Sequence, residues 1–463
     1  MKPDQKTIDP AILVIFGITG DLSKRKLLPA IYHLFKDDLI PKETVILGLT
    51  RQDLTEKDIL SNVELCINEE DGICDKAALK KVEDSLKVIQ IDLSKMGEFK
   101  KLKSALDYLD KKAKVKMNHL FYMSVPPKVT ENIVSELGKH GLNKENSRLL
   151  IEKPFGYELN SAKHIIKSMS AYFHESQIYR IDHYLAKETV QNILIFRRNN
   201  IFENIWDSKH IDSIAITAYE KIDVEGRKDF YEQTGALIDI IQSHLIQLLS
   251  VVTLDMPAEI KSESIHKARL KALESLKPIS DSLVPKLSIR GQYTGYKKEV
   301  GNHNSFIETF AAIRLSSSTK RWHQTKFILR TGKALHEKYT EIKVVFKPNR
   351  EDLEHNYLIF RIQPHEGIKL KLIIKEPGFN KKTKNATLNL NYLEENIDVK
   401  HPDAYERVII DVFRADHTLF STSHEILASW KTLDNIVKSW KASDNGLLEY
   451  KKGSHGPVTD QLY

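Results

Sequence analysis

The sequence predicts two domains of different class, an α/β domain followed by an α+β domain, and three observations carry that prediction. Its 463 residues exceed what one compact core accommodates. The first third alternates short Val/Ile/Leu runs with helix-length segments, the pattern of βαβ units. Later, one long apolar helix gives way to alternating, strand-like runs joined by Gly, Pro and Asn.

Taken in order, "AILVIFG" reads as the first strand and "KLLPAIYHLFKDD" as the helix behind it. "TVILGLTR", "KVIQIDL", "HLFYMSV" and "SRLLIEKPFG" supply further strands. Strands this continuously apolar form a parallel sheet covered by helices on both faces, so residues 1–182 are read as a Rossmann-like doubly wound domain. "GALIDIIQSHLIQLLSVV" is apolar nearly all round, which marks a buried helix. "SFIETFAAIRLS", "TEIKVVFK" and "YLIFRIQP" alternate at the strand period. Residues 183–463 are therefore read as an α+β domain built on a large, mostly antiparallel sheet and helices. The closing "KKGSHGPVTDQLY" reads as a tail that can fray.

Hydrophobic residues make up 41% and charged residues 29% of the chain, the proportions of a folded globular protein rather than an extended disordered one. The net charge of +7, from 70 basic and 63 acidic residues, suits an anionic small molecule as well as a nucleic acid. The sequence has no recognised nucleic-acid module and no basic stripe interleaved with aromatics, which argues against the second partner. The opening "MKPDQKTIDP" lacks the layout of a signal peptide, and no run reads as long and apolar enough to span a bilayer. Cys66 and Cys74 are too few for a disulfide framework and sit in no metal-ligand pattern. A reducing cytoplasm is the expected compartment.

Two places in the sequence concentrate chemistry. In "VIFGITGDLSKRKLLPAIYHLF" a strand runs into Gly17, Gly20 and Asp21 and then a helix, a turn that lets backbone approach a pyrophosphate at the positive end of that helix. The spacing is G-x-x-G rather than G-x-G-x-x-G, so a tight turn without a ligand remains the competing reading. The second strand ends at Thr50 and Arg51, where a carboxylate would mark an NAD site; a guanidinium there can grip a 2′-phosphate. NADP is the expected cofactor, with a plain surface arginine as the alternative.

The other place lies further on. Lys153 precedes Pro154 at a strand end, on the sheet edge where ligands collect. "RIDHYLAKE" then gathers His183, Tyr184 and Lys187, donors suited to a phosphate dianion, beside Asp182, an acceptor able to orient an imidazole. Asp239, Gln242, Ser243, His244 and Gln247 interrupt the apolar helix. A satisfied core histidine is the usual explanation for such a residue. Burying unpartnered polar groups costs about 1–3 kcal/mol each, and five in one helix point to a site. Asp239 and His244 are about 140° apart on a regular α-helix and would flank a ligand.

Together these segments resemble the glucose-6-phosphate dehydrogenase family. The resemblance runs from "GITGDLSKRKLLPAIYHLF" through "EKPFG", "RIDHYLAKETVQNILIFR", "VEGRKDFYEQTGALIDIIQSH", "IRGQY", "LRTGKAL", "RIQPHEGI" and "DAYERVIIDV" to "GSHGP". It implies oxidation of glucose 6-phosphate at C1 to the lactone with hydride transfer to NADP, the first step of the oxidative pentose phosphate pathway. In that scheme His244 is the general base and Asp182 its supporting carboxylate. Gly17, Thr19, Gly20, Asp21, Leu22, Arg51 and Lys153 hold the cofactor. His183, Tyr184 and Lys187 hold the 6-phosphate, and Lys153, Glu220, Asp239, Lys333 and Lys338 serve the sugar hydroxyls and the phosphate field. The resemblance also implies a homodimer or homotetramer built through the second sheet, and no metal, because the hydride acceptor carries the hard chemistry.

The sequence departs from the family pattern at several positions. Ile238 stands where an arginine usually precedes the aspartate, and Ser243 where an asparagine precedes the histidine. Asp223 replaces a glycine, "WHQTKF" a W-x-G-V-P-F-like run, and His365 and His455 an aspartate and a tryptophan. A catalytically silent sugar-phosphate or NADP sensor on the same fold is the rival reading. It would gain from loss of His244 or Asp182, and both are present.

Overall fold

The computed structural model describes residues 8–463 apart from 72, 94, 351–352 and 396–401. The chain packs into two units, the first formed by Met1–Phe155, Lys163–Ala186 and Pro402–Ser423 and the second by Gly156–Ala162, Lys187–His401 and His424–Tyr463.

The first unit is an all-parallel sheet of six strands: β1 (Ala11–Phe16), β2 (Val45–Thr50), β3 (Leu86–Gln90), β4 (Asn118–Met123), β5 (Ser147–Ile151) and β6 (Ile178–Arg180). Their order is β3-β2-β1-β4-β5-β6, the doubly wound order with its switch point between β1 and β4. All six residues of β1 and of β4 are buried, as strands covered on both faces must be. The helix Leu28–Lys36 presents Leu28, Ile31, Leu34 and Phe35 to the core. Val408 and Ile409, from the helix Ala404–Phe413, join the same core. The Arg148 guanidinium on β5 donates to the last carbonyls of that helix, Val412 and Phe413, and so closes its C-terminal end.

The second unit carries nine strands: β7 (Ile211–Tyr219), β8 (Ser288–Tyr293), β9 (Phe310–Leu315), β10 (Lys326–Gly332), β11 (Tyr339–Phe346), β12 (Tyr357–Gln363), β13 (Gly367–Lys375), β14 (Thr383–Asn391) and β15 (Leu447–Tyr450). Their order is β14-β13-β12-β11-β7-β10-β9-β8-β15. Pairing is antiparallel except for β7 with β10 and β8 with β15. β7 is buried over nearly its whole length, whereas β14 is almost wholly exposed. The long helical stretch Glu225–Thr253 has the length and hydropathy of a membrane span, yet its apolar window is 94% buried inside the protein. It is a core helix that contacts β7, β9 and β10.

Two expectations change. The C-terminal tail does not fray: Ser454 bridges to Leu335, Thr459 accepts from Arg330, and Leu462 is wholly buried. The apolar helix is also not a regular α-helix, since Leu237–Leu245 is π-wound and the Ile246 N–H bonds back to the Ile241 carbonyl. With hydrogen bonds running to the fifth residue, each residue advances by a smaller angle than on an α-helix, so His244 stands closer in angle to Asp239 than the about 140° of an α-helix.

Candidate active site

The loop after β1 is built for close approach. Gly17 lies at φ 81°, and a Cβ there would sit 2.5 Å from the Ser124 carbonyl, so a side chain is excluded by both backbone and space. The N–H groups of Gly17 and Ile18 are engaged by the Leu49 carbonyl, and that of Gly20 by Gly17. The Lys24 N–H is already bonded to the Gly20 carbonyl, so the donors left for an anion come from the first turn beginning at Asp21 and Leu22. Thr19 lies in the turn before it. Asp21 is paired with Arg25 at 2.8 Å on the surface. Arg51 follows β2 directly, exposed and with no acidic partner among the described residues. A backbone cradle with an unneutralised guanidinium at the next strand end fits a dinucleotide.

At the end of β5, Lys153 precedes the cis-Pro154 and lines a narrow cleft with Val125, Pro127, Phe155 and Met169. Beside it, Glu152 accepts from the Tyr122 hydroxyl at 2.7 Å. Burial pushes the Glu152 carboxyl up to about 7, with Lys153 pulling it down and Asp182 pushing it up. Glu152 was not legible as a site residue, because a lone acid next to a lysine has no distinguishing spacing.

"RIDHYLAKE" is the turn that leads from the end of β6 into the next helix. Asp182 is buried and its Oδ1 accepts the Tyr184 N–H at 2.9 Å. The His183 ring stacks against Tyr405, centroids 6.3 Å apart, and tilts against Tyr184. Tyr405 comes from the far end of the sequence and reaches this place only through the fold.

Lys187 begins the next helix, with its ammonium 3.9 Å from Glu366. The other Glu366 oxygen accepts both the backbone N–H and the hydroxyl of Thr189, at 3.0 and 2.8 Å. The carboxylate thus fixes the helix start and leaves Lys187 only loosely paired.

Within the second unit, Asp239 and His244 are buried on the π-wound helix. Lys333 is 7% exposed and pairs with Glu220 at 2.5 Å, while its ammonium lies 5.6 Å from the Tyr231 ring. Lys338 is exposed. The departures from the family pattern have partners of their own. Ser243 donates to the Asp239 carbonyl, Asp223 pairs with Lys452 at 2.6 Å, and His455 packs on His336. Ile238 is buried, and His365 adopts φ 57° after the cis-Pro364.

Comparison with known proteins agrees with this geometry. Residues 14–192 match the family model "Glucose-6-phosphate dehydrogenase, NAD binding domain" and residues 194–463 match "Glucose-6-phosphate dehydrogenase, C-terminal domain". The chain is 36% identical to a glucose-6-phosphate 1-dehydrogenase of Chlamydia muridarum, over 93% of this chain and 90% of that one. It is 36% identical to that of Treponema pallidum, over 97% and 93%. A solved glucose-6-phosphate dehydrogenase in complex with its substrate glucose-6-phosphate superposes with a TM-score of 0.90 at 30% identity, covering 97% of this chain and 96% of that one. The Mycobacterium avium enzyme gives 0.84 at 28%, with the same coverage. A nicotinamide-binding, doubly wound domain and a mostly antiparallel second domain are the architecture of these enzymes, and the chain belongs to the glucose-6-phosphate dehydrogenase family.

Proposed function

We propose that the protein oxidises glucose 6-phosphate at C1 to 6-phosphoglucono-lactone with NADP, in the cytoplasm, as a homodimer or homotetramer. The observation that carries this reading is His244, 1% exposed, on a π-wound turn of an otherwise apolar helix in a chain of this family. Wide turns of this kind concentrate at functional sites.

NADP supplies the hydride acceptor, and the protein's residues do the rest. His244 removes the proton of the C1 hydroxyl as the C1–H pair departs as hydride, leaving the C1 carbonyl of the lactone. Asp182 stabilises the imidazolium so formed. His183, Tyr184 and Lys187 hold the phosphate dianion, to which Lys187 brings a compact charge. Glu220, Asp239, Lys333 and Lys338, with Lys153, serve the sugar hydroxyls and the phosphate field. For the cofactor, the turn of Gly17, Thr19, Gly20, Asp21 and Leu22 would hold the pyrophosphate, Arg51 would take the 2′-phosphate, and Lys153 would also serve the cofactor.

The test follows nicotinamide reduction by absorbance with glucose 6-phosphate, using NADP and NAD in parallel. The reading expects turnover with glucose 6-phosphate and preference for NADP. A folded protein inactive with both cofactors would support the sensor alternative instead.

A further inference from the structure

The helix that carries Asp239 and His244 does not continue from the one before it. Gly235 breaks the run at φ 59°, ψ −175°, a conformation essentially restricted to glycine. The new helix therefore begins with N–H groups that the preceding turn cannot satisfy. Two of them are taken by one residue: the Ala236 N–H donates to the Glu308 carbonyl at 3.0 Å, and the Leu237 N–H to Glu308 Oε1 at 2.9 Å.

Glu308 is 6% exposed, and its carboxyl occupies the space a side chain at Gly235 would need, since a Cβ there would lie 2.7 Å from Glu308 Cδ. The next residue, Thr309, is fully buried and held from two sides: its hydroxyl meets the Tyr450 hydroxyl at 2.8 Å and accepts the Tyr293 N–H at 3.0 Å. Its carbonyl accepts the Lys333 N–H at 2.9 Å. Two consecutive residues thus hold the start of the histidine helix and the backbone of Lys333.

We propose that Glu308 is a positioning residue for the reaction, clamping the first turn of the Leu237–Leu245 helix with its main-chain and side-chain oxygens and so fixing Asp239 and His244 relative to Lys333. A carboxyl this deep in the protein without such a task would be disfavoured, because burial of an acid is costly unless its oxygens are used. The effect on turnover rests on His244 being the base; the clamp itself does not.

The experiment compares Glu308→Ala with Glu308→Gln, which keeps an acceptor oxygen at the same reach. Hydrogen exchange of the peptide spanning 236–245 and the steady-state constants for glucose 6-phosphate are both measured. Glu308→Ala should speed exchange of that peptide by about tenfold, the scale of a lost helix cap, and lower kcat by a similar factor with KM for NADP unchanged. Glu308→Gln should restore both. Should the alanine variant not fold, Glu308→Asp, which retracts the carboxyl by one methylene, gives the same reading. Unchanged exchange in folded Glu308→Ala or Glu308→Asp overturns the proposal. Faster exchange with parental turnover overturns it as well, because a loosened helix start would then leave the reaction untouched.

Discussion

Replacing Glu308 with glutamine should stabilise the protein at alkaline pH and leave it nearly unchanged in acid. Burial is the main cause that pushes the Glu308 carboxyl from its ordinary value of 4.5 up to about 7; the Leu237 N–H, Arg290 and Lys441 pull the other way. Tyr231 and Tyr296 also face it, and Asp239 acts on Tyr231 in turn. An acid whose folded value is raised adds stability at low pH, and that contribution is lost as pH climbs from 4.5 through about 7. At about 1.4 kcal/mol per tenfold change in proton affinity, the full loss is about 3 kcal/mol. Between roughly pH 5.5 and pH 8 it is about 2 kcal/mol. Glutamine keeps the acceptor for Leu237 and never ionises, so it escapes this loss. Urea unfolding of parent and variant at the two pH values reads the difference directly, and other titrating groups such as Glu152 cancel in the comparison. A gap between the two proteins that is the same at both pH values would refute the reasoning.

Other outcomes follow from the site. Arg51→Ala should weaken NADP far more than NAD, because in the proposed reading the guanidinium following β2 would meet only the 2′-phosphate; equal losses in parallel titrations would reject that role. Lys187→Ala should raise KM for glucose 6-phosphate steeply while leaving any use of unphosphorylated glucose nearly unchanged, and a proportional loss of both would mark the lysine as structural. Sedimentation at micromolar concentration should show a dimer or tetramer, and a monomer would remove the second sheet as an assembly surface.

The parts of the fold legible in the sequence are those written as local pattern. β1, β2 and β4 are continuous apolar runs because both faces of a parallel sheet are covered, and β11 and β12 alternate because one face is less buried. The π-winding of Leu237–Leu245 had no such signal, since an all-round apolar helix shows no period from which a wider turn can be read. The placement of Ala404–Phe413 in the first unit was equally hidden: its amphipathic pattern reports a buried face, not which core receives it. Glu152, Glu308 and Tyr405 were missed for a related reason. Each is a single polar residue whose environment is made by segments distant in sequence, whereas "RIDHYLAKE" and the polar interruptions of the apolar helix are dense enough locally to be noticed.

The most direct test of the account is the turnover of His244→Asn, with Asp182→Asn and the double variant beside it. A positioned general base contributes roughly 10²–10⁴-fold, so His244→Asn should lose about that much kcat while still binding glucose 6-phosphate. Asp182→Asn should also be slow, and the double variant little worse than His244→Asn alone, because orienting an absent base gains nothing. A folded His244→Asn protein with near-parental kcat would contradict the mechanism.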